Sequence, residues 1–346
     1  MECLSGHRER EELVTIKDVA RLAGVSVTTV SATLSGKAPV SEALQKRVWD
    51  AVRQSNYQPN TNARNLRQGT SSTVGLVVPD VATPWSAHLA RGLQRAFSAR
   101  GYHMLLSSND DDPEREFREI AMMAEHRVAG LIIAPTSLGE NYAERLAASV
   151  TVPAILVDRV LPGSPFDAVA DDNLYGARLV VRYLLRLGHR DISFLVGRPG
   201  ISASYERFDG FGATMAAEGA PVRDELIHHA VYQQEQAYAA AQQLMSLARP
   251  PSAIICLSIS QLLGVMAGLK NMGLRVPDDV SVISFDGFHP AEGWYPAITS
   301  LTQDVDRVSA EAAELLLRRI GGKASGTPET IRVRPRLEIR ESCRPA

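Results

Sequence analysis

The chain has 346 residues, 45% of them hydrophobic and 22% charged, with a formal net charge of −2. That length exceeds one ordinary core and predicts two or three folding units of a soluble globular protein. No apolar run approaches the ~20 residues that span a bilayer. Met1–Glu12 lacks the apolar stretch of a secretory signal, and Cys3, Cys256 and Cys343 form neither a metal spacing nor a disulfide framework, so a cytoplasmic protein with no membrane partner is expected.

The modest net charge hides an asymmetry: residues 13–69 carry eight Lys/Arg against three Asp/Glu. A basic front end on an acidic body suits one domain that meets phosphates and another that does not. Residues 1–13 read as a flexible extension and 14–59 as a small helical domain. Thr15-Ile16-Lys17-Asp18 is a capping-box-like start. It opens a helix with Ile16, Val19, Ala20 and Ala23 on one face, stopped by Gly24. Ser26 then caps a second helix, Val27 to Leu34, ended by Ser35-Gly36. Two short helices joined by a Gly-containing turn make a helix-turn-helix. A third helix from Ser41, with Leu44, Val48 and Val52 at helical spacing, closes a small core under them.

The second helix is expected to expose Val27, Thr28, Thr29 and Ser31 near its N-terminal end, where short hydroxyl- and methyl-bearing side chains reach base edges in a major groove. In isolation such hydroxyls only cap and solvate a helix. In a basic domain, at the start of a recognition-type helix, they are candidate DNA contacts.

The run Thr15-Ile16-Lys17-Asp18-Val19-Ala20-Arg21-Leu22-Ala23-Gly24-Val25-Ser26, with Thr29-Val30-Ser31 after it, resembles the headpiece of the LacI/GalR family of bacterial regulators. Tyr57-Gln58-Pro59-Asn60 and Ala63-Arg64-Asn65-Leu66 continue the resemblance, which extends along nearly the whole chain. It implies that Val27, Thr28 and Ala32 read operator bases, although family members often carry Arg where this chain has Ala32. Residues 60–71 form the hinge and linker. Asn60 to Arg67 spans barely two helical turns, capped by Asn60, with Ala63 and Leu66 on one face and Arg64 beside them. So short a helix is marginal in water and needs a partner to order it. The resemblance implies pairing with the dimer mate in the minor groove, with Leu66 as a wedge between base pairs. From the residues alone, packing of Leu66 against the core surface is the favoured reading, and only the resemblance turns it to the wedge.

Residues 72–346 read as the effector-binding and dimerisation core. Predicted strands are Val74–Val78, His103–Leu106, Gly130–Ala134, Ala154–Val157, Ile192–Val196, Ala253–Leu257 and Val280–Phe285. They alternate with predicted helices Ala87–Arg100, Glu114–His126, Leu174–Leu187, Tyr205–Ala217, Gln234–Leu247, Gln261–Met272 and Asp304–Ile320. This alternation means α/β architecture with parallel sheets, and the strands are too many for one sheet of usual size. Two Rossmann-like lobes of the periplasmic-binding-protein kind are expected. The resemblance adds that late crossovers make both lobes discontinuous.

Ligands of open α/β sheets bind beyond the carboxyl ends of the strands. Asp80, Trp85, Asp158, Arg159 and Asp286 fall there, with Arg207 early in a helix and Tyr232 after another strand. Carboxylates and a guanidinium beside aromatic faces suit a polyol. Singly, each is more often a cap or a solvated charge. Arg207, Gly210 and Phe211 match the family's Arg-x-x-Gly-Phe, and Asp286 matches the acid after its late core strand. Ser258-Ile259 stands where many sugar-responsive members have Asn-Asp, which weakens the case for an ordinary hexose. Gly188-His189-Arg190 reads as a helix stop with His189 near orphan carbonyls.

No G-x-G-x-x-G follows a strand, and no Walker A, HExxH or GxSxG motif occurs. An enzyme is not expected, and no cofactor is implied. The expected protein is a transcriptional regulator, in the first instance a repressor. Its partners are double-stranded operator DNA, a small-molecule effector of carbohydrate-like chemistry and a second copy of itself. The absence of heptads before Ala346 argues against a coiled-coil tetramer. A sugar-binding protein or an enzyme on the same two-lobed core is the alternative.

Overall fold

The computed structural model describes residues 14–35, 38–57, 71–137, 139, 141–229, 231–286, 295–322 and 326–346. The chain divides into two compact units, residues 1–70 and 71–346.

In the first unit, α1 (Ile16–Ala23), α2 (Val27–Ser35) and α3 (Glu42–Ser55) form the expected three-helix arrangement. The Asp18 carboxylate accepts from the Thr15 N–H at 3.0 Å and from its hydroxyl at 2.6 Å, fixing the start of α1. Gly24, at φ 61°, ends it in the left-handed region. The Arg47 guanidinium on α3 donates to the carbonyls of Ala23 at 2.7 Å and Gly24 at 3.1 Å. A cation on the last carbonyls of a helix complements its dipole. Val19, Ala20, Ala23, Val30, Val48 and Ala51 make the core. On α3 the buried positions are Val48 and Ala51; Leu44, expected to join them, stays half-buried because the helix turns its Ala51 face inward.

The second unit holds two six-stranded sheets. The first contains β1 (Thr73–Val78), β2 (His103–Ser108), β3 (Leu131–Ile133), β4 (Ala154–Val157), β5 (Asp167–Asp171) and β11 (Thr330–Val333), in the order β11-β5-β4-β3-β1-β2. The second contains β6 (Ile192–Leu195), β7 (Ile227–His228), β8 (Ala253–Cys256), β9 (Ser281–Ser284), β10 (Thr299–Thr302) and β12 (Arg336–Glu338), in the order β12-β10-β9-β8-β6-β7. Their pairings are parallel except β10 with β12. In β1, Val74, Leu76 and Val78 enter one apolar cluster and Val77 the other, as strand alternation between two helix-covered faces requires.

The chain passes between the sheets after β5, after β10 and after β11. Helix α4 (Pro84–Ser98) follows β1, and α5 (Pro113–Glu125) follows β2. Helix α6 (Tyr142–Ser149), absent from the sequence reading, follows β3. The second lobe carries α7 (Asn173–Arg186), α8 (Ser202–Ala217), α9 (Gln234–Met245) and α10 (Ile259–Asn271). Helix α11 (Val305–Ile320) returns to the first lobe, where Val308, Ala312, Leu315 and Leu316 share a core with Val74 and Leu76. No helix among the described residues is long and apolar enough to cross a membrane.

The Gly188-His189-Arg190 reading holds for the stop but not for the side chain. Gly188, at φ 92°, follows α7, and Arg190 rather than His189 takes the Leu185 carbonyl at 3.0 Å. His189, 1% exposed, joins Ser252 Oγ at 2.8 Å and the Arg344 carbonyl at 3.0 Å, tying the C-terminal segment to the second sheet. Burial lowers its pKa, which favours the neutral ring.

Candidate functional site

Two candidate regions emerge, one in each unit. In the first, Ser26 is the N-cap of α2: its hydroxyl accepts the Thr29 N–H at 3.1 Å and lies 2.9 Å from Thr29 Oγ1. Thr15, Thr28 and Ser31 are exposed, whereas Val27, Thr29 and Ala32 are half-buried. Val27 and Thr29 therefore depart from the expected open exposure. Val27 packs on the headpiece core, and the cap engages the Thr29 hydroxyl. Asn60, Ala63, Arg64 and Leu66 lie outside the described residues.

In the second unit, Asp80, Trp85, Asp158, Arg159, Arg207, Tyr232, Ser258 and Asp286 all line one cavity of about 330 Å³. Its walls come from both sheets. Asp80 follows β1, Asp158 and Arg159 follow β4, Ser258 follows β8 and Asp286 follows β9. Parallel strands run toward the cleft from either side, so the loops at their carboxyl ends converge. Asp158 holds φ 65°, a conformation uncommon for a non-glycine residue, and this turn places its carboxylate beside Arg159. Trp85 is half-buried, and its Nε1 has no hydrogen-bond partner among the described residues.

Arg207 occupies the depth of the cleft at 8% exposure. Its Nε donates to Asn173 Oδ1 at 2.8 Å and its Nη1 to the Leu257 carbonyl at 3.2 Å, with the guanidinium 5.2 Å from the Phe285 ring centre. The relay continues outward. Asn173 Nδ2 donates to Glu206 at 2.8 Å, and Glu206 accepts from Arg332 at 2.6 and 2.9 Å. Arg332 also reaches the Asp171 carbonyl at 3.0 Å. These residues lie beside the passages between the sheets, so Arg207 is held by the hinge between the lobes.

Burial raises the pKa of Asp158; it raises Asp286 to about 6 and, with Asp158 adding repulsion, Asp171 to about 7. Arg207 pulls all three the other way. Among the described residues no group of three or more His, Cys, Asp or Glu is placed to hold a metal ion.

Not every predicted residue is free to meet a ligand. Asp80 is exposed and accepts the Ala82 N–H at 2.8 Å in its own turn, and Ser258 caps α10 by accepting from Gln261 N–H at 3.2 Å. The cavity also enlists Asp111, Arg198, Ser204 and Gln303, which the sequence reading missed. Asp111 follows β2 and Arg198 follows β6, so a search of every strand end would have found them. Gln303 lies on a passage between the lobes and carries no local signal.

A family model for bacterial regulatory proteins of the lacI family matches residues 15–60, and one for a periplasmic binding protein-like domain matches residues 181–343. The HTH-type transcriptional repressor PurR of Actinobacillus pleuropneumoniae serotype 3 (strain JL03) is 32% identical over 333 residues, covering 96% of this chain and 99% of that protein. The chain belongs to the lacI family. A second relative, the HTH-type transcriptional repressor PurR of Vibrio parahaemolyticus serotype O3:K6 (strain RIMD 2210633), is 33% identical over 330 residues, covering 95% and 98%. Among solved structures, the lac repressor dimer bound to operator and the anti-inducer ONPF matches with a TM-score of 0.87 at 24% identity over 96% and 99% of the two chains, which establishes the shared fold. The complex of transcriptional regulator CelR with cellobiose matches at 0.72 with 28% identity, over 95% and 99%. This lacI-family member is a DNA-binding transcriptional repressor with an effector-binding core, and the readings as a sugar-binding protein or an enzyme give way to that conclusion.

Proposed function

We propose that a small polyhydroxylated molecule, a sugar or sugar derivative, binds between the core lobes and thereby controls operator affinity. The observation that carries this reading is the setting of Arg207: it lies inside the cleft, faces Asp158 and Asp286, and is held by Asn173 at the hinge. A ligand hydroxyl that engages this cluster is coupled to lobe orientation through the Asn173–Glu206–Arg332 relay. The structurally similar CelR, solved with cellobiose, supports the chemistry. A ligand that prefers one lobe orientation shifts the population by its differential affinity.

On this reading two copies join as a dimer in the cytoplasm, and residues 60–67 of each form the hinge that lobe rotation brings together over a pseudo-palindromic operator. Thr28 and Ser31 then face base edges from α2, and Leu66 wedges into the minor groove. Selection of operator sites from a randomised duplex library tests the first half: symmetric half-sites about one helical turn apart are expected. Leu66→Ala should weaken binding to the selected site far more than to random DNA, and an equal loss would remove Leu66 from the groove. Titration of the selected duplex complex with a carbohydrate panel tests the second half, since no change in operator affinity with any member would remove the sugar assignment.

A further inference from the structure

Helix α2, the second helix of the helix-turn-helix, reads Val-Thr-Thr-Val-Ser-Ala-Thr-Leu-Ser, with no charged side chain, amide or imidazole among its nine positions. At about 3.6 residues per turn, Val27, Thr28, Ser31 and Ala32 fall within one sector of about 140°. Thr28 and Ser31 are exposed there, with Val27 and Ala32 half-buried beside them. Val30, outside that sector, is fully buried in the headpiece core. Two further hydroxyls are taken up inside the headpiece: Thr29 Oγ1 lies 2.9 Å from the capping Ser26 Oγ, and Thr33 Oγ1 donates to the Thr29 carbonyl at 2.9 Å.

The cations of the described headpiece residues sit on the flanking helices, Lys17 and Arg21 on α1 and Lys46, Arg47 and Arg53 on α3. Contacts from such groups to phosphate position a domain on the duplex but carry no sequence information. Strong base readout in the major groove uses matched pairs: a guanidinium or ammonium on guanine, an amide on adenine, a carboxylate accepting from cytosine. Helix α2 has none of these groups. A hydroxyl is both donor and acceptor, so it satisfies more than one base and discriminates weakly. What remains on the sector is the methyl-bearing surface of Val27, Thr28 and Ala32. The apolar group that the groove offers to such a surface is the thymine C5 methyl.

We propose that α2 reads its operator through thymine C5 methyls met by Val27, Thr28 and Ala32, with the Thr28 and Ser31 hydroxyls adding permissive hydrogen bonds and no base held bidentately. Each half-site is then specified by which strand carries thymine at its A·T pairs, because the methyl marks T·A apart from A·T. This rests on the reading of α2 as the helix that enters the major groove.

The duplex selected from the randomised library supplies the probe. Replacing thymine by deoxyuridine, one position at a time, removes the methyl and leaves the pairing and the O4 acceptor unchanged. Fluorescence anisotropy of the labelled duplex with the full chain reads the affinity. Within each half-site, deoxyuridine at the contacted thymines should weaken binding by about fourfold, the worth of one apolar carbon withdrawn from water. At the central step between the half-sites it should change little, because the methyl lies in the major groove and the hinge is assigned to the minor. Thr28→Ser removes a methyl and keeps the hydroxyl at an exposed position, so it should lose the deoxyuridine effect at one thymine and keep it at the others. Thr28→Val, which keeps a methyl and removes the hydroxyl, should retain the effect. An operator bound equally well with and without its thymine methyls overturns the inference while leaving α2 as the DNA-reading helix, as does full deoxyuridine sensitivity at every thymine in Thr28→Ser. If no sequence is enriched from the library, the operator-reading assignment itself falls, and the inference falls with it.

Discussion

Asp111 and Arg198 meet at 3.1 Å across the mouth of the cleft, although one follows a strand of the first sheet and the other a strand of the second. The other Asp111 oxygen holds Arg159 at 3.0 Å, so one carboxylate ties the lobes together. Its loop is fixed from beneath. Asn109 Oδ1 accepts the Asp111 N–H at 3.0 Å, and Asn109 Nδ2 donates to the fully buried Glu116 at 3.2 Å. Tyr142 and the Thr136 N–H also bond to Glu116, which burial holds toward its protonated form. Asp111→Asn should therefore weaken a half-exposed bridge worth about 1 kcal/mol or less and favour open lobes. Small-angle scattering of the ligand-free core should show a larger radius of gyration, and unchanged scattering would deny the bridge a role in closure.

Arg207→Lys keeps the cation but loses the planar fork that serves Asn173 and Leu257 together. Effector response should disappear while operator affinity without effector stays within a few-fold of the parent. Fluorescence anisotropy on a labelled operator, with and without effector, reads both quantities. A normal response in this variant would place the switch elsewhere.

Asp171 gives a pH prediction. Its pKa is about 7 in the folded chain against 3.8 ordinarily, so between those values the folded state binds the extra proton and unfolding releases it. The contribution of this group to stability is therefore fully favourable below about pH 4, falls as pH rises toward 7, and flattens above. Asp158 and Asp286 face the group and strengthen the effect; Arg207 and Gln303 oppose it. Asp171→Asn should gain stability over the parent above about pH 7, by on the order of 2 kcal/mol. Denaturant titrations between about pH 4 and pH 7 should show the difference between the two proteins growing with pH and levelling off above about pH 7; a difference constant across the whole range would contradict the assignment.

Gly210 illustrates a motif glycine that serves packing. A Cβ there would fall 2.7 Å from Ala177 Cβ and 3.2 Å from the Leu174 carbonyl, where α8 crosses α7. Gly210→Ala should cost about 1–3 kcal/mol through overpacking. The melting temperature should drop while the cleft chemistry carried by Arg207, on the same helix, is retained. A melting temperature equal to the parent's would show that the two helices can separate freely.

The sequence by itself determined what is local. Asp18 capping Thr15, Gly24 ending α1 and Ser26 capping α2 act over three or four residues, so the headpiece helices were legible before any fold. Strand–helix alternation placed Asp80, Asp158, Ser258 and Asp286 at strand ends, and parallel sheets then force such ends toward one cleft. Tertiary structure alone decided the rest. Strand β5 reads Asp-Ala-Val-Ala-Asp, which looks like a loop until Arg319 reaches Asp167 at 2.6 Å from 152 residues away and Gln303 reaches Asp171. Strands β7, β10, β11 and β12 (Ile-His, Thr-Ser-Leu-Thr, Thr-Ile-Arg-Val and Arg-Leu-Glu) lack the continuous apolar run that marks the equally short β3 and β4. The same limit hides Asp111 with Arg198 and Asn173 with Arg207: caps and periodicity act between neighbours in sequence, whereas partners across a cleft are chosen by the folding of the whole chain.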